Sequence, residues 1–214
     1  MNHCTKEQLI AFEHKIQGLW AAGELPFLTH LCGGNEDQLI GIFKGIAAGD
    51  WVFASHRCHY HALLVGIPPA VVEQKIREGK SMFIYDASRN FCVSAILGGT
   101  CAIAVGVAIA LKEEGSPNRV WCFLGDGAEE NGKLHEAAIY AEGHELPVTF
   151  IIEDNDRQVD TSRSERRGPA PVLGLEEIFG CVRRYHYKPT YPHAGDGITI
   201  DPQYNPAIVA AHAQ

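Results

Sequence analysis

The chain has 214 residues and a formal net charge of −8, with 46% hydrophobic and 21% charged residues. This length and composition predict a single globular domain over residues 1–214, with a buried core. The negative charge argues against general nucleic-acid binding, because phosphate backbones select basic surfaces. A few backbone amides and one arginine can still hold a small anion.

The cysteine pattern and the lengths of the apolar runs indicate in which cellular compartment we expect the protein. The seven cysteines are odd in number and contain no C-x-x-C pair, which favours free thiols and a reduced, cytoplasmic setting. The amino-terminal segment is too polar for a signal peptide. No apolar run reaches the roughly 18 residues of a membrane span, so we expect a soluble protein without a membrane partner.

In the first half of the chain, hydrophobic periodicity and glycine positions predict short helices around one strand. In chain order the elements are an amphipathic helix over residues 5–21 with Thr5 as N-cap, a helix from Glu36 that Gly49 closes, a strand in "DWVFAS", a loop over "HRCHYHALLVGIPP" and a short helix over residues 70–79.

The second half alternates buried helices with apolar strands, which predicts an α/β fold with a three-layer parallel sheet and helices on both faces. In chain order the elements are a buried Gly/Ala-rich helix from Ala95 to Glu114, the strand "RVWCFLG", a helix from Ala128 to Gly143, the strand "PVTFII", an arginine-rich loop "DRQVDTSRSERRGPAP", a strand in "GCVRRYHYKPTY" and a terminal helix "NPAIVAAHAQ".

Two polar residues follow the two apolar strands of this predicted βαβ unit. Asp126 follows the first strand and Asn155 the second, so parallel pairing would bring them to the same sheet edge, where open α/β sheets bind ligands. With the backbone carbonyl of Arg157 they offer three oxygens suited to Mg²⁺. Gly125 and Gly127 allow backbone amides to approach an anion, so the edge predicts a metal–diphosphate site.

The Gly-Asp-Gly tripeptide by itself is also an ordinary turn, with Asp126 as the N-cap of a following helix. A second copy at residues 195–197 has no buried strand before it and no crossover helix after it, so we interpret that copy as a turn. The strand, helix and strand around Asp126 favour a ligand site for the first copy.

"GDG" followed by Asn155 matches the signature of thiamine diphosphate enzymes, and other segments agree. Residues 29–67, "THLCGGNEDQLIGIFKGIAAGDWVFASHRCHYHALLVGI", and residues 81–115, "SMFIYDASRNFCVSAILGGTCAIAVGVAIALKEEG", resemble alpha subunits of 2-oxoacid dehydrogenases. The motif's tail, "DNDRQVDTS", also resembles transketolase. The similarity covers roughly residues 25–165 and implies the diphosphate-binding domain of the thiamine diphosphate-binding fold.

The resemblance implies thiamine diphosphate and Mg²⁺ as cofactors and assigns site residues by position. Asp126, Asn155 and the Arg157 carbonyl would hold the metal. The diphosphate would meet Arg57 and the turn Gly125, Asp126, Gly127 and Ala128, and Ile96 and Leu97 would line the pyrimidine side. His30 and His59 fall where family histidines face the reactive carbon, so they are the predicted catalytic residues.

Three departures from the family pattern shape the predicted reaction. Asp154 stands where the family has a first asparagine, and His56 stands where a tyrosine often precedes the diphosphate arginine. No segment matches the later histidine loop that serves acyl transfer to lipoyl groups. We therefore expect a decarboxylation or a carbon–carbon bond-forming reaction on a small 2-oxo acid or ketose, rather than a lipoyl-dependent complex. For a 2-oxo acid, this means decarboxylation, transfer of the resulting acyl or aldehyde unit, or both.

The resemblance also implies that this chain is half of an enzyme. A second subunit would supply the pyrimidine-binding domain and the glutamate that activates the coenzyme, in a hetero-oligomer with two copies of each subunit. The isolated chain would be inactive. Two alternatives remain open: part of a split transketolase that moves a two-carbon ketol unit, and a non-catalytic nucleotide-binding module.

Three further groups of polar residues each allow two interpretations. His56, Cys58, His59 and His61 resemble metal ligands but match no standard zinc spacing, so a histidine-lined coenzyme pocket is favoured. "SRSERR" can bind a substrate phosphate, although a solvated loop is the simpler interpretation. Glu129 and Glu130 are predicted helix-start acids or contacts to a partner.

Overall fold

The computed structural model describes residues 4–25, 29–159, 161–169 and 174–193. Its contacts divide the chain into two compact units: unit 1 comprises Met1–Gly45, His56–Ile84 and Lys188–Gln214, and unit 2 comprises Ile46–Ser55 and Tyr85–Tyr187. The predicted terminal helix and the second Gly-Asp-Gly copy lie outside the described residues. The expectation of one domain over residues 1–214 stays a prediction.

The described residues of unit 1 form four α-helices: α1 (Lys6–Ala21), α2 (Glu36–Phe43), α3 (His59–Leu64) and α4 (Pro69–Arg77). The predictions for α1 and α4 are confirmed. At the start of α1, Thr5 Oγ1 accepts a hydrogen bond from the Gln8 amide, and the Gln8 side chain accepts one from the Thr5 amide. This reciprocal cap satisfies two amides that the first turn of a helix leaves without a partner.

Two sequence predictions in unit 1 are wrong. Helix α2 ends at Phe43 rather than near Gly49, because the Gly45 amide bonds to the Ile42 carbonyl and tightens the last turn. The predicted loop after Ser55 contains α3, whose six residues are all buried. Burial of every side chain stabilises this short helix, and such a helix shows no amphipathic periodicity in the sequence.

Unit 2 contains one six-stranded sheet with the order β2-β3-β1-β4-β5-β8. Only the β2–β3 pair is antiparallel. The strands are β1 (Trp51–Ala54), β2 (Tyr85–Asp86), β3 (Phe91–Val93), β4 (Val120–Gly125), β5 (Val148–Asp154) and β8 (Val182–His186). The predicted α/β fold, a mostly parallel sheet flanked by helices, is confirmed.

The core of unit 2 lies between the sheet and two helices, α5 (Gly99–Glu113) and α6 (Lys133–Gly143). Small residues let the helices approach the sheet closely. Every residue of β5 is buried, as expected for a central parallel strand. The principal core residues are Phe53, Cys101, Ala104, Ala108, Cys122, Leu124, Leu134, Ala138, Phe150 and Ile152.

Helices α5 and α6 begin later than the sequence predicts. Helix α5 begins at Gly99 because Gly98 adopts a left-handed conformation with φ of 66°. After β4 the chain forms a tight 3-10 turn over Asp126–Asn131, and α6 begins only after Gly132, whose φ is 77°. The prediction that a helix amino end directly follows Gly127 is therefore wrong.

The described part of the predicted arginine-rich loop contains regular secondary structure. Strands β6 (Arg157–Gln158) and β7 (Thr161–Ser162) form a short antiparallel ribbon, and α7 (Arg163–Arg167) follows it. Ser162 and Glu165 cap α7 reciprocally. A further short helix, α8 (Leu175–Ile178), precedes β8. Across the described ranges, no helix has the length and apolar character needed to cross a membrane.

Leu134→Ala tests the packing of α6. Leu134 is fully buried in the core of unit 2, so its truncation should lower the free energy of unfolding by about 2–5 kcal/mol in urea titrations. The control is Tyr140→Ala on the same helix, whose side chain is 46% exposed and should change stability by less than about 0.5 kcal/mol. Equal losses from the two variants would contradict the assigned packing.

Candidate functional site

The carboxyl ends of β4 and β5 meet at one edge of the sheet, as predicted. The strands pair in parallel, with Gly125 opposite Glu153. Asp126 directly follows the last residue of β4, and Asp154 is the last residue of the neighbouring strand β5. The two aspartates therefore lie at the same edge of the sheet, and Asn155 follows Asp154. Arg163 confirms their proximity, because its Nη2 donates to both carboxylates, 3.4 Å from Asp126 Oδ2 and 2.5 Å from Asp154 Oδ1.

Asp126 is a buried carboxylate with one oxygen engaged. Its side chain is 1% exposed, and Oδ2 accepts hydrogen bonds from Arg166 Nη2 at 3.1 Å and from Arg163. Its Oδ1 is buried and has no hydrogen-bond partner among the described residues. Burial and the charge of Asp154 raise the pKa of Asp126, and the two arginines only partly offset this. The carboxylate thus retains an oxygen able to bind a cation.

Asp154 shows the opposite balance. Burial alone would raise its pKa, but hydrogen bonds from Arg163, the Asp156 amide and Arg184 hold it below the ordinary value. Arg184 Nη1 lies 2.7 Å from Asp154 Oδ2, and the Asp156 amide lies 3.0 Å from Oδ1. Asp154 is therefore a carboxylate whose negative charge is compensated by its hydrogen-bond donors within the fold.

Asn155 and Arg157 form a local turn after β5. The side-chain Oδ1 of Asn155 accepts from the Arg157 amide at 3.0 Å, and its Nδ2 lies 3.4 Å from the Tyr187 hydroxyl. Asp156 between them and Val159 beyond them have φ of 60° and 57°. A branched residue such as valine rarely adopts this left-handed conformation, which is found at functional sites. The assignment of Asn155 and the Arg157 carbonyl as metal ligands stays a prediction.

The glycine turn has little space beside it. A Cβ atom at Gly127 would lie 2.8 Å from Cγ of Gln158, whereas one at Gly125 would meet nothing within 4 Å. Ala128 is buried. A side chain at position 127 would thus push against the β6–β7 ribbon, so the backbone here stays close to it.

Ile96 and Leu97 precede α5. Ile96 is 67% exposed, and the Leu97 carbonyl accepts a hydrogen bond from Asn131 Nδ2 at 2.9 Å. The structure thus places Ile96 at the surface and Leu97 beside the turn that follows Asp126. Their predicted contact with the pyrimidine stays a prediction.

Sequence reasoning missed most of the charged network around Asp126, which we call the edge network. Arg184 on β8 donates to Glu129 at 2.6 Å, to Glu176 at 2.5 Å and to Asp154. The edge network consists of Asp126, Glu129, Glu130, Asp154, Arg163, Arg166, Arg167, Glu176 and Arg184.

The edge network corrects two predictions. Glu129 and Glu130 do not begin a helix; Glu129 pairs with Arg184, and Glu130 pairs with Arg166 and Arg167. "SRSERR" is not a solvated loop, because the side chains of Arg163 and Arg166 are only 20% and 9% exposed. The one available signal was the alternation in "VRRYH", which places Arg184 on the same side of its strand as Val182.

In unit 1, the predicted diphosphate arginine binds backbone carbonyls. Arg57 Nη1 donates to the Leu31 carbonyl at 2.6 Å, and Nη2 donates to the His193 carbonyl at 3.1 Å. The guanidinium is partly buried. These contacts hold its cationic end in one position, while its role toward a diphosphate stays a prediction.

Three imidazole rings lie together in unit 1: His30, His56 and His193, which we call the histidine cluster. Burial, the neighbouring His56 ring and Arg57 lower the pKa of His30 to about 2, although a bond to the His193 carbonyl raises it. Burial, Arg57 and His193 lower the pKa of His56 to about 3. Both rings are therefore neutral at pH 7, so they act there as hydrogen-bonding groups rather than as cations.

His59, the other predicted catalytic residue, is fully buried. Its Nδ1 lies 2.8 Å from Glu13 Oε1, which also accepts from the Cys32 amide at 2.9 Å. Its Nε2 has no hydrogen-bond partner among the described residues. Cys58 points elsewhere, with Sγ 3.1 Å from the Ser81 carbonyl. The four-residue zinc hypothesis thus gains no support, since the described residues group His56 and His59 with different partners.

Paired amide variants test the opposite charge balance of the two carboxylates. The pKa of Asp126 is raised in the folded state, so ionising this carboxyl destabilises the fold once pH rises above the pKa of an ordinary aspartate. Asp126→Asn should therefore leave Tm unchanged or higher at pH 7. The lowered pKa of Asp154 means that its ionised form stabilises the fold until pH falls through that pKa.

Asp154→Asn should therefore lower Tm, by about 2–4 °C for each kcal/mol lost in a chain of this size. Both variants are compared by thermal unfolding in a buffer with a metal chelator. A decrease in Tm for Asp126→Asn as large as that for Asp154→Asn would contradict the assigned balance.

Arg184→Met tests the centre of the edge network. The variant leaves Glu129 and Asp154, both nearly buried, without their shared cation, so it should lower the free energy of unfolding by about 3–5 kcal/mol. Arg183→Met is the matched control, because the neighbouring side chain is exposed. Urea denaturation distinguishes the two, and a small, equal effect would show that the network contributes little.

Comparison with known proteins identifies the family. The family model of the dehydrogenase E1 component matches residues 5–170. The alpha subunit of the pyruvate dehydrogenase E1 component from Rickettsia felis is 30% identical over 210 residues, which cover 94% of this chain and 62% of that protein.

Two oxidoreductase subunits are also similar. The alpha subunit of acetoin:2,6-dichlorophenolindophenol oxidoreductase from Bacillus subtilis is 32% identical over 158 residues, covering 69% of this chain and 47% of that protein. Its counterpart from Cupriavidus necator is 32% identical over 162 residues, covering 71% and 49%. The chain spans about half to three-fifths of the length of these curated relatives. Because the family model matches most of its residues, this chain belongs to the dehydrogenase E1 component family.

Proposed function

We propose that this chain is the diphosphate-binding, alpha-type subunit of a thiamine diphosphate- and Mg²⁺-dependent enzyme that acts on a 2-oxo acid. The observation that carries the proposal is the buried Asp126 carboxylate at the carboxyl edge of β4, with an oxygen that has no partner among the described residues. Family membership supports the coenzyme, and the oxygen-rich edge supports the metal.

The donor set of unit 2 fits a small, hard cation. Asp126, Asn155 and the Arg157 carbonyl would hold Mg²⁺, which prefers oxygen ligands and keeps positions for phosphate oxygens and water. Arg163 and Arg166 already place positive charge at Asp126 Oδ2. The Asp126 carboxylate therefore already attracts cationic groups. A divalent ion bound to it would compete with the two guanidinium groups.

In unit 2, the amides of Gly127 and Ala128 would bind the diphosphate, with Ile96 and Leu97 toward the pyrimidine. In unit 1, Arg57 is the predicted diphosphate arginine. Gly127 has no side chain of its own to hold an anion away from these amides, and the Gln158 side chain packs beside it. In unit 1, the bonds of Arg57 to the carbonyls of Leu31, Pro192 and His193 orient its guanidinium but leave further N–H groups able to donate.

His30 and His59 would act on protons of the substrate-derived oxyanion. Each ring has Nδ1 held by an acceptor, the His193 carbonyl for His30 and the Glu13 carboxylate for His59. Such a bond places the proton on Nδ1 and leaves the lone pair on Nε2, the atom that would accept or share a proton. When bound, the coenzyme supplies the carbanion chemistry, and the chain supplies orientation and electrostatics.

The similar proteins are named as alpha subunits, which supports a heteromeric assembly for this chain. A second subunit with a pyrimidine-binding domain would complete the site, in an assembly with two copies of each. The expectation of a cytoplasmic enzyme rests on the seven free thiols.

Ligand protection tests the proposal. The chain, alone and co-purified with a pyrimidine-domain subunit, is heated with thiamine diphosphate and Mg²⁺, with ATP, or with NAD. At about 100 times its dissociation constant, a ligand that binds only the folded state stabilises it by about 2.7 kcal/mol. We expect protection by thiamine diphosphate with Mg²⁺, lost in Asp126→Asn and Asn155→Ala.

Asp156→Asn is the matched control, because this neighbouring side chain is 65% exposed and should leave the protection intact. Protection by ATP or NAD without a response to thiamine diphosphate would overturn the proposal in favour of a nucleotide-binding module. In the assembled enzyme, CO₂ release from a 2-oxo acid supports the proposed reaction, and ketose cleavage without it would indicate a transketolase.

A further inference from the structure

The histidine cluster brings three ring nitrogens into the range of one metal ion. The ring centroids of His30 and His56 lie 4.6 Å apart, those of His30 and His193 also 4.6 Å, and those of His56 and His193 5.7 Å. One ring nitrogen from each residue lies within 4.8 Å of the other two. Ligands at about 2 Å from a shared ion need only a small inward shift from such spacing.

The hydrogen bond of His30 selects the tautomer that a metal requires. Its Nδ1 lies 2.9 Å from the backbone carbonyl of His193. A carbonyl only accepts, so Nδ1 carries the proton and Nε2 presents its lone pair. Histidines that bind metals usually donate their other N–H to a carbonyl or carboxylate in this way, which fixes ring orientation.

The electrostatic surroundings define the type of ion. Imidazole binds metals as the neutral ring, through a nitrogen that carries no proton. The positive charge of Arg57 beside the histidine cluster repels a metal ion by itself. The same charge favours an anion that is bound to the metal ion. Three-ligand zinc sites keep an open fourth position that hydroxide or another anion can fill.

We propose that His30, His56 and His193 form a binding site for one nitrogen-preferring divalent transition-metal ion, of the class of Zn²⁺, with an anion as the fourth ligand. Imidazole nitrogen suits Zn²⁺ and Co²⁺ and discriminates against Mg²⁺, which prefers oxygen. The site lies within unit 1, uses none of the predicted Mg²⁺ ligands and does not rest on the proposed function. It uses the Nε2 of His30, so a bound metal excludes the proton role proposed for that atom above.

A second group, Glu13, Cys32 and His59, also has ligand atoms within 4.8 Å of one another. It is a weaker candidate because Glu13 Oε1 already binds His59 Nδ1 and the Cys32 amide. Burial also raises the pKa of the Cys32 thiol well above its ordinary value, which opposes the thiolate form that metals bind. This group serves as the competing site in the test.

The test is titration of the full chain with Co²⁺, followed by its visible absorption. We expect one Co²⁺ per chain, displaced by Zn²⁺ and not by Mg²⁺, without a thiolate charge-transfer band. His30→Gln, His56→Gln and His193→Gln should each weaken binding at least about tenfold. His14→Gln, on the exposed side of α1 in the same unit, is the matched control and should bind as the parent does.

His193→Gln is the decisive variant, because its side chain is only partly buried and the fold tolerates the change more readily. Undiminished Co²⁺ binding in that folded variant, or loss of binding in Cys32→Ser or Glu13→Gln, would overturn the proposal. Asp126→Asn should retain the Co²⁺ spectrum while losing protection by thiamine diphosphate and Mg²⁺, so failure of one site is distinguishable from failure of the other.

Discussion

The carboxyl edge of the sheet depends on pairing buried carboxylates with arginines. Asp126, Glu129 and Asp154 are almost completely removed from solvent. An isolated buried charge costs several kcal/mol, so these groups are compatible with the fold only because Arg163, Arg166 and Arg184 reach them. Arg184 on β8 contacts three carboxylates, which lie in the turn after β4, at the end of β5 and in α8. The position of the turn that contains Asp126 follows from that pairing.

The two aspartates of this edge differ in how fully their charge is compensated. Asp154 receives bonds from two arginines and one amide, and its pKa is lowered, so its charge stabilises the fold. Asp126 has one oxygen without a partner among the described residues, and its pKa is raised, so its charge is incompletely compensated. A site that must bind a cation needs the second kind of carboxylate, because full internal compensation leaves nothing for the ligand.

Unit 1 uses a different means of holding polar groups. It contains Arg57 bonded to backbone carbonyls, a buried Glu13–His59 pair and the neutral rings of the histidine cluster. Carbonyls satisfy a guanidinium without adding negative charge, so the cation's field persists and helps keep the nearby rings uncharged. Neutral imidazoles can share protons or bind metals, and both uses require the lone pair that a fixed tautomer exposes.

The sequence by itself determined the features that depend on local pattern. Continuous apolar runs established β4 and β5 as buried strands, the intervening helix required them to be parallel, and Asp126 thereby came to the ligand edge. Thr5 likewise marked the start of α1. Its motifs also sufficed to place the chain in its family, which the match over residues 5–170 confirmed.

Only the tertiary structure decided the features that arise from distant contacts. Helix α3 forms because its surroundings bury all six side chains, and α6 begins late because Gly132 turns the backbone after the 3-10 turn. The arginine partners of Asp126 lie 37 and 40 positions away, and Arg184 lies 30 positions from Asp154. Ion pairing acts through space rather than along the chain, so no local periodicity reports which charges will meet.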